Sequence, residues 1–243
     1  MIRARAIEGL PEVAPGDDLA ALIAAADPGL TAGDVVVIAH KVVSKAEGRV
    51  RALADIEPSD RARELAERLG GKDPRHVQAV LDESAEVLRD ERVLICRTQH
   101  GFVCANAGVD QSNAPEGCVI LLPQDPDASA RRLRAALPSR PAVVIADSFG
   151  RAWRVAQCDV AIGIAGLAPA DDWQGRTDRS GRELHATAIA IADQAAGAAD
   201  LARAGKDAGE PVVVVEGLER FISGDDGPGA AAVVRAREDD LFR

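Results

Sequence analysis

Short runs of consecutive apolar, mostly β-branched residues constrain this chain more than any other feature. They are Asp34-Val-Val-Val-Ile-Ala39, Cys118-Val-Ile-Leu-Leu122, Ala142-Val-Val-Ile-Ala146, Asp159-Val-Ala-Ile-Gly163 and Pro211-Val-Val-Val-Val215. Runs of this length, bounded by turn formers, read as buried strands. Helical spacing separates them. The sequence predicts helices over about 17–26, over Arg61 to Leu69 behind a Ser59-Asp60 cap and before Gly70-Gly71, and over His76 to Arg89. Further helices are expected over Asp127 to Leu137, closed by Pro138, and over the Ala-rich stretch Glu183 to Ala204. Arg92 to Cys96 and Val103 to Ala105 flank Gln99-His100-Gly101 as a plausible hairpin. The class is α/β or α+β, with helices around mixed sheets rather than one doubly wound sheet. Residues 1–222 read as one domain, and 223–243 as a Gly/Asp-rich loop with a charged tail.

With aromatic residues at 2% and no Tyr, the core must be built from Ala, Val, Ile and Leu. A net charge of −10 argues against non-specific binding to nucleic acid or an anionic membrane, since both need a basic face. The cysteines, Cys96, Cys104, Cys118 and Cys158, lie in or beside apolar runs without a CxxC pair, and the histidines form no HExxH or HxH pattern. That argues against zinc and for thiols packed as small hydrophobes. Neither an apolar leader segment nor 18 uninterrupted apolar residues occur, so a cytoplasmic location is expected.

Chemistry concentrates in two runs, ANAGVDQSN over Ala105 to Asn113 and DSFGRAWR over Asp147 to Arg154. Each places a carboxylate beside small polar groups near a strand. Asp110, Asp147 and Ser148 therefore suit a divalent ion bridging phosphate oxygens, although capping of a turn by one carboxylate and of the strand's far end by the other accounts for them equally. His40-Lys41-Val-Val-Ser44-Lys45-Ala-Glu47-Gly48-Arg49 is a basic island at a strand end, read either as a phosphate clamp or as a solvated loop. Asp178 to Glu183 reads as a carboxylate-anchored turn presenting arginines, or as a helix N-terminus with ordinary ion pairs. Familiar nucleotide signatures are missing. Gly205-Lys206-Asp207 lacks the Ser or Thr and the first glycine of a P-loop, and Gly163-Ile-Ala-Gly166 is too short for a dinucleotide fingerprint. Ser148 with His185 lacks a nucleophile elbow.

In collinear order, GLPEV, GDVVVIAHKVVSKAEGR, ANAGVDQSN, LLPQDPDASARRLR, DSFGRAWR, DVAIGIAGL, DWQGRTDRSGREL and PVVVVEGL resemble the coenzyme F420-0:L-glutamate ligases over nearly the whole chain. AGVDQSN and VVSKAEGR are the specific parts. The resemblance implies GTP- and metal-dependent amide synthesis. F420-0 would be activated as an acyl phosphate, attacked by L-glutamate, and then extended through γ-linkages. It further implies an unusual fold, neither Rossmann nor P-loop, in an intertwined homodimer. Two Mg²⁺ or Mn²⁺ ions, and K⁺, are the implied ions.

Residue by residue, the resemblance assigns nucleotide contacts to Leu10, Pro11, Glu12, Val13, His40, Lys45 and Asn113. Metal binding falls to Asp110, Asp147 and Ser148, with Lys45, Asp110 and Asp147 as catalytic groups, and Gly205, Lys206 and Asp207 form a last nucleotide and metal segment. A related amide ligase with another carboxylate acceptor, or a non-catalytic F420- or nucleotide-binding protein, would keep much of the same pattern.

Overall fold

The computed structural model describes residues 1–205 and 207–241. Strand β1 (Arg3–Ala6) and helix α1 (Leu19–Ala26) lead to β2 (Val35–Ala39), which passes without a loop into α2 (His40–Ala46). Next come β3 (Val50–Ala52), α3 (Asp60–Arg68), α4 (Pro74–Asp82), β4 (Ser84–Arg89), β5 (Ile95–Thr98), β6 (Val103–Ala105) and β7 (Cys118–Ile120). The chain returns through α5 (Pro126–Ala136) and the long hairpin of β8 (Ala142–Arg151) and β9 (Arg154–Ala165). It ends its regular part with β10 (Asp171–Asp172), β11 (Ala188–Ile189), α6 (Ile191–Ala202) and β12 (Val212–Glu216).

Four of the apolar runs meet in one five-stranded sheet of order β1-β12-β2-β8-β9, joined by the N-terminal β1. Only β2 and β8 run parallel in it; the other neighbours are antiparallel. The mixed sheet matches the sequence expectation. Alternation divides its side chains between two cores. Val36, Ile38, Val143, Ile145, Val212 and Val214 pack with Ile23 of α1, Val43 of α2 and Ala130 of α5. Val35, Val37, Val144, Val213 and Val215 face Ala192, Ala195, Ala196 and Ala199 of α6. The small alanine face lets α6 approach the valine surface closely, so the sheet is covered without aromatic side chains. Burying each of these valines contributes roughly 1.5–3 kcal/mol. A third core, including Leu65 of α3, Val77 and Val80 of α4, Leu94 and Leu121, lies beneath the β4-β5-β6 sheet.

Several elements differ from their sequence expectation. The helix expected over His76 to Arg89 stops at Asp82, and Ser84–Arg89 becomes β4, which β5 pairs antiparallel through two register shifts. Ala85 and Leu88 fit helical spacing, but the neighbouring strand offers this segment a backbone ladder. The Ala-rich helix begins at Ile191 rather than Glu183, because 183–189 pairs back through a Thr177–Glu183 bridge and β10–β11. The strand carrying Asp147 does not end there; β8 continues to Arg151, and DSFGRAWR forms the far end of the hairpin.

The segment from Ser223 is irregular, as expected, yet firmly anchored. Arg134 of α5, 3% exposed, lies 2.7 Å from Asp226 Oδ1 and donates to the carbonyls of Ser223 (2.7 Å) and Asp225 (3.1 Å). Asp127 Oδ1 accepts from the amides of Ile164 and Ala230, each at 2.8 Å. Arg134→Met should therefore lower stability by roughly 3 kcal/mol, at the low end for breaking a buried charge pair because Asp226 keeps some solvent access. Urea unfolding checks this, and an unchanged midpoint would show that the anchor contributes nothing.

Two cysteines behave as the sequence suggests, buried in apolar surroundings; Cys118 and Cys158 are only partly so. Burial, with the nearby Asp147 carboxylate, pushes the Cys104 thiol up to about 12, and burial raises that of Cys96. Thiolate is the reactive form. Neither residue should label with a thiol reagent at about pH 8 until the protein unfolds. Mass spectrometry of the labelled peptides checks this, and rapid modification of Cys104 in the native protein would contradict its placement.

Candidate functional site at the carboxyl ends of β2 and β8

The basic island is helical, which the sequence did not suggest. Ala39 keeps extended backbone and serves as the cap from which α2 starts, so the helix springs from the strand end. Its seven residues send polar groups in several directions, and His40, Ser44 and Lys45 are buried. The parallel pairing places Ala39 opposite Ala146, so His40 and Asp147, the next residues on each strand, fall side by side. His40 Nε2 lies 3.3 Å from Asp147 Oδ1 without hydrogen-bond alignment, while its Nδ1 is 3.5 Å from Ser44 Oγ. Asp147 Oδ1 also accepts the Ser148 amide at 2.8 Å. Carboxyl ends of parallel strands are where open α/β sheets ordinarily bind ligands.

A second wall comes from AGVDQSN. Asn106 and Ala107 both have φ of 52°, and Gly108 follows at 73°, where an added Cβ would lie 2.6 Å from Leu122 Cγ. This left-handed turn brings Asp110 beside Ile120, with which it exchanges backbone hydrogen bonds of 3.0 and 2.8 Å. Asp110 accepts from the Ser112 amide (2.7 Å) and hydroxyl (2.9 Å). Lys41 of α2 lies 2.7 Å from Asp110 Oδ2 and 2.5 Å from Ser112 Oγ. Partial burial alone would raise the Asp110 carboxyl, but hydrogen bonds from Lys41 and Ser112, with the lysine charge, hold it below the usual carboxylate range. Asp110 is therefore an anion at neutral pH. Asn113 is exposed on the same loop, with φ of 58°.

The third wall is the N-terminal segment. Val13 is buried, Leu10 is half-buried and Pro11 exposed; Glu12 forms an ion pair with Lys45 of α2. Beyond the end of α6, Gly205 and Asp207 form a short loop, and Lys206 lies outside the described residues. Thus α2 joins Glu12 through Lys45, Asp110 through Lys41, and Asp147 through His40. Lys41 and Ser112 are not among the residues that the sequence singles out, although both sit inside its two most specific motifs.

The donors Asp110, Asp147 and Ser148 are all oxygen, the chemistry that Mg²⁺ and Mn²⁺ prefer. Among the described residues no three His, Cys, Asp or Glu side chains converge to hold an ion unaided. An ion seated on this set would complete its shell with water and phosphate oxygens, as Mg²⁺ usually does. Other readings fall away. The Ser148 hydroxyl donates to Asp159, while His185 is exposed beside Glu183, so they form no nucleophile–base pair. Asp178 accepts from the amides of Ser180 and Arg182, which makes that run a carboxylate-anchored turn and not a helix start.

Similarity to known proteins covers the fold and all three walls. A family model described as F420-0:Gamma-glutamyl ligase matches residues 9–217. The coenzyme F420:L-glutamate ligase of Methanothermobacter thermautotrophicus is 44% identical, over 98% of this chain and 97% of its own. That of Halobacterium salinarum is 46% identical over 100% of this chain and 96% of its own. That of Methanopyrus kandleri is 46% identical over 98% and 97%. With the matched span running from the Leu10 segment through β12, the chain belongs to the F420-0:gamma-glutamyl ligase family.

Proposed function

We propose that this chain joins L-glutamate to coenzyme F420-0 in a GTP-dependent reaction of F420 biosynthesis, and then adds further glutamates through γ-linkages. The observation that carries the reading is the meeting of Lys41, Lys45 and His40 with Asp110 and Asp147 around one short helix. Amide synthesis from a carboxylate and an amine needs an activated acyl group. A terminal carboxylate oxygen of F420-0 attacks the γ-phosphorus of GTP, and GDP leaves. The glutamate nitrogen, deprotonated, then attacks the acyl carbon; a C–N bond forms, the C–O bond to phosphate breaks, and inorganic phosphate departs. This route brings three anions together, so electrostatic stabilisation is the main demand on the protein.

Lys45 and Lys41 are suited to that demand as compact charges. Their present partners do not hold them strongly. Glu12 is 83% exposed, and exposed ion pairs contribute only about 0–1 kcal/mol, so a phosphate can take Lys45 from it. The nucleotide would lie along Leu10 to Val13, His40, Asn113 and the 205–207 loop. Asp110, Asp147 and Ser148 would hold Mg²⁺ or Mn²⁺, which when bound offsets phosphate charge and aligns the oxygens for in-line transfer. Two such ions, K⁺ as a further ion and a homodimer as the working assembly complete the proposal. No covalent enzyme nucleophile is required, in keeping with a Ser148 that has no histidine base.

Incubating the protein with F420-0, L-glutamate, GTP and Mn²⁺ should give products spaced by one glutamate in mass spectrometry, and none without GTP. Folded protein that binds GTP yet adds no glutamate would overturn the reading in favour of another acceptor. Asp110→Asn and Asp147→Asn should each lower turnover by roughly 10²–10³-fold with little change in thermal stability. Near-normal turnover in either variant would remove that residue from the site.

A further inference from the structure

Ser148 pairs with Asp159 across the β8–β9 hairpin, so both side chains stand on the same face. Ser148 Oγ donates to Asp159 Oδ1 at 2.5 Å. Asp159 Oδ2 lies 2.5 Å from Nη1 of Arg203, the residue that caps the carboxyl end of α6. Asp159 is 2% exposed and the Arg203 side chain 8%. Cations are favoured at a helix carboxyl end, which accounts for an arginine here but not for its burial.

Burying this pair is costly, and its geometry does not serve stability best. Arg203 Nε and Nη2 are buried without a hydrogen-bond partner among the described residues. Unpaired buried donors carry the full cost of desolvation, and apolar side chains of similar volume would avoid it. What the pair provides instead is a direction. With its hydrogen committed to Asp159, the Ser148 hydroxyl can only present lone pairs elsewhere, on a strand position next to Asp147.

We propose that Asp159 and Arg203 are positioning residues for Ser148. Asp159 holds the hydroxyl hydrogen away from the ion site, and Arg203 fixes the Asp159 carboxylate in the orientation that does so. The proposal rests on the reading of Ser148 as an oxygen ligand. Groups that orient a ligand in this way typically change metal affinity about 10–100-fold when removed.

Titration of the purified protein with Mn²⁺ alone, by calorimetry, tests this without reference to turnover. Ser148→Ala and Asp159→Asn should each weaken binding by about tenfold, and the double variant should bind no worse than Ser148→Ala. Arg203→Lys, which keeps the charge without the planar fork, should lose less than Arg203→Met. If Asp159→Asn fails to fold, Arg203→Lys in the wild-type and Ser148→Ala backgrounds carries the test, with weakening expected only in the first. Wild-type affinity in folded Asp159→Asn beside a weakened Ser148→Ala would overturn the relay alone. Unchanged binding in Ser148→Ala would overturn the ligand role of Ser148, and the relay with it.

Discussion

The parallel pairing of β2 with β8 is the constraint on which the rest of the site depends. It sets Ala39 level with Ala146, so one strand end turns into a helix beside the residue where the other reaches Asp147. A shift of one residue would move every side chain of β2 to the opposite face and take Val36 and Ile38 out of their core. The valine packing that stabilises the sheet therefore also fixes the spacing of His40 and Asp147. Fold and site are set by the same register.

Around that fixed point the charges are arranged economically. Helix α2 is too short to owe its stability to intrinsic propensity, and Val42 and Val43 at its centre are weak helix formers. Val43 in the sheet core and the three polar contacts hold it in place. In an acidic protein, this concentrates cations where phosphates are expected to arrive. The long hairpin and the carboxyl end of α6 close the same region from the other side, through Ser148, Asp159 and Arg203.

The strands are legible in the sequence because continuous β-branched runs have few alternatives, and mixed pairing follows from how many helices lie between them. The α2 helix is not legible, since seven residues rich in His, Ser and Val carry no local signal strong enough to distinguish it from a loop. Ser84 to Arg89 reads as helix because Ala85 and Leu88 fit both periods, and only the position of β5 decides between them. Asp110, Asp147, Ser148 and Lys45 stand out as residues through their motifs. Their partners Lys41, Asp159 and Arg203 do not, because pairing across a hairpin or from a helix end is set by tertiary register. In the sequence, Asp159 looks like no more than the first residue of a strand.

The central claim is that this charge cluster supports phosphoryl transfer to a carboxylate before the amide forms. The most direct measurement uses F420-0 carrying ¹⁸O in its terminal carboxylate, with analysis of the inorganic phosphate released. An acyl-phosphate route leaves one labelled oxygen in each phosphate when the C–O bond breaks. Phosphate free of ¹⁸O, alongside normal glutamate addition, would contradict the account.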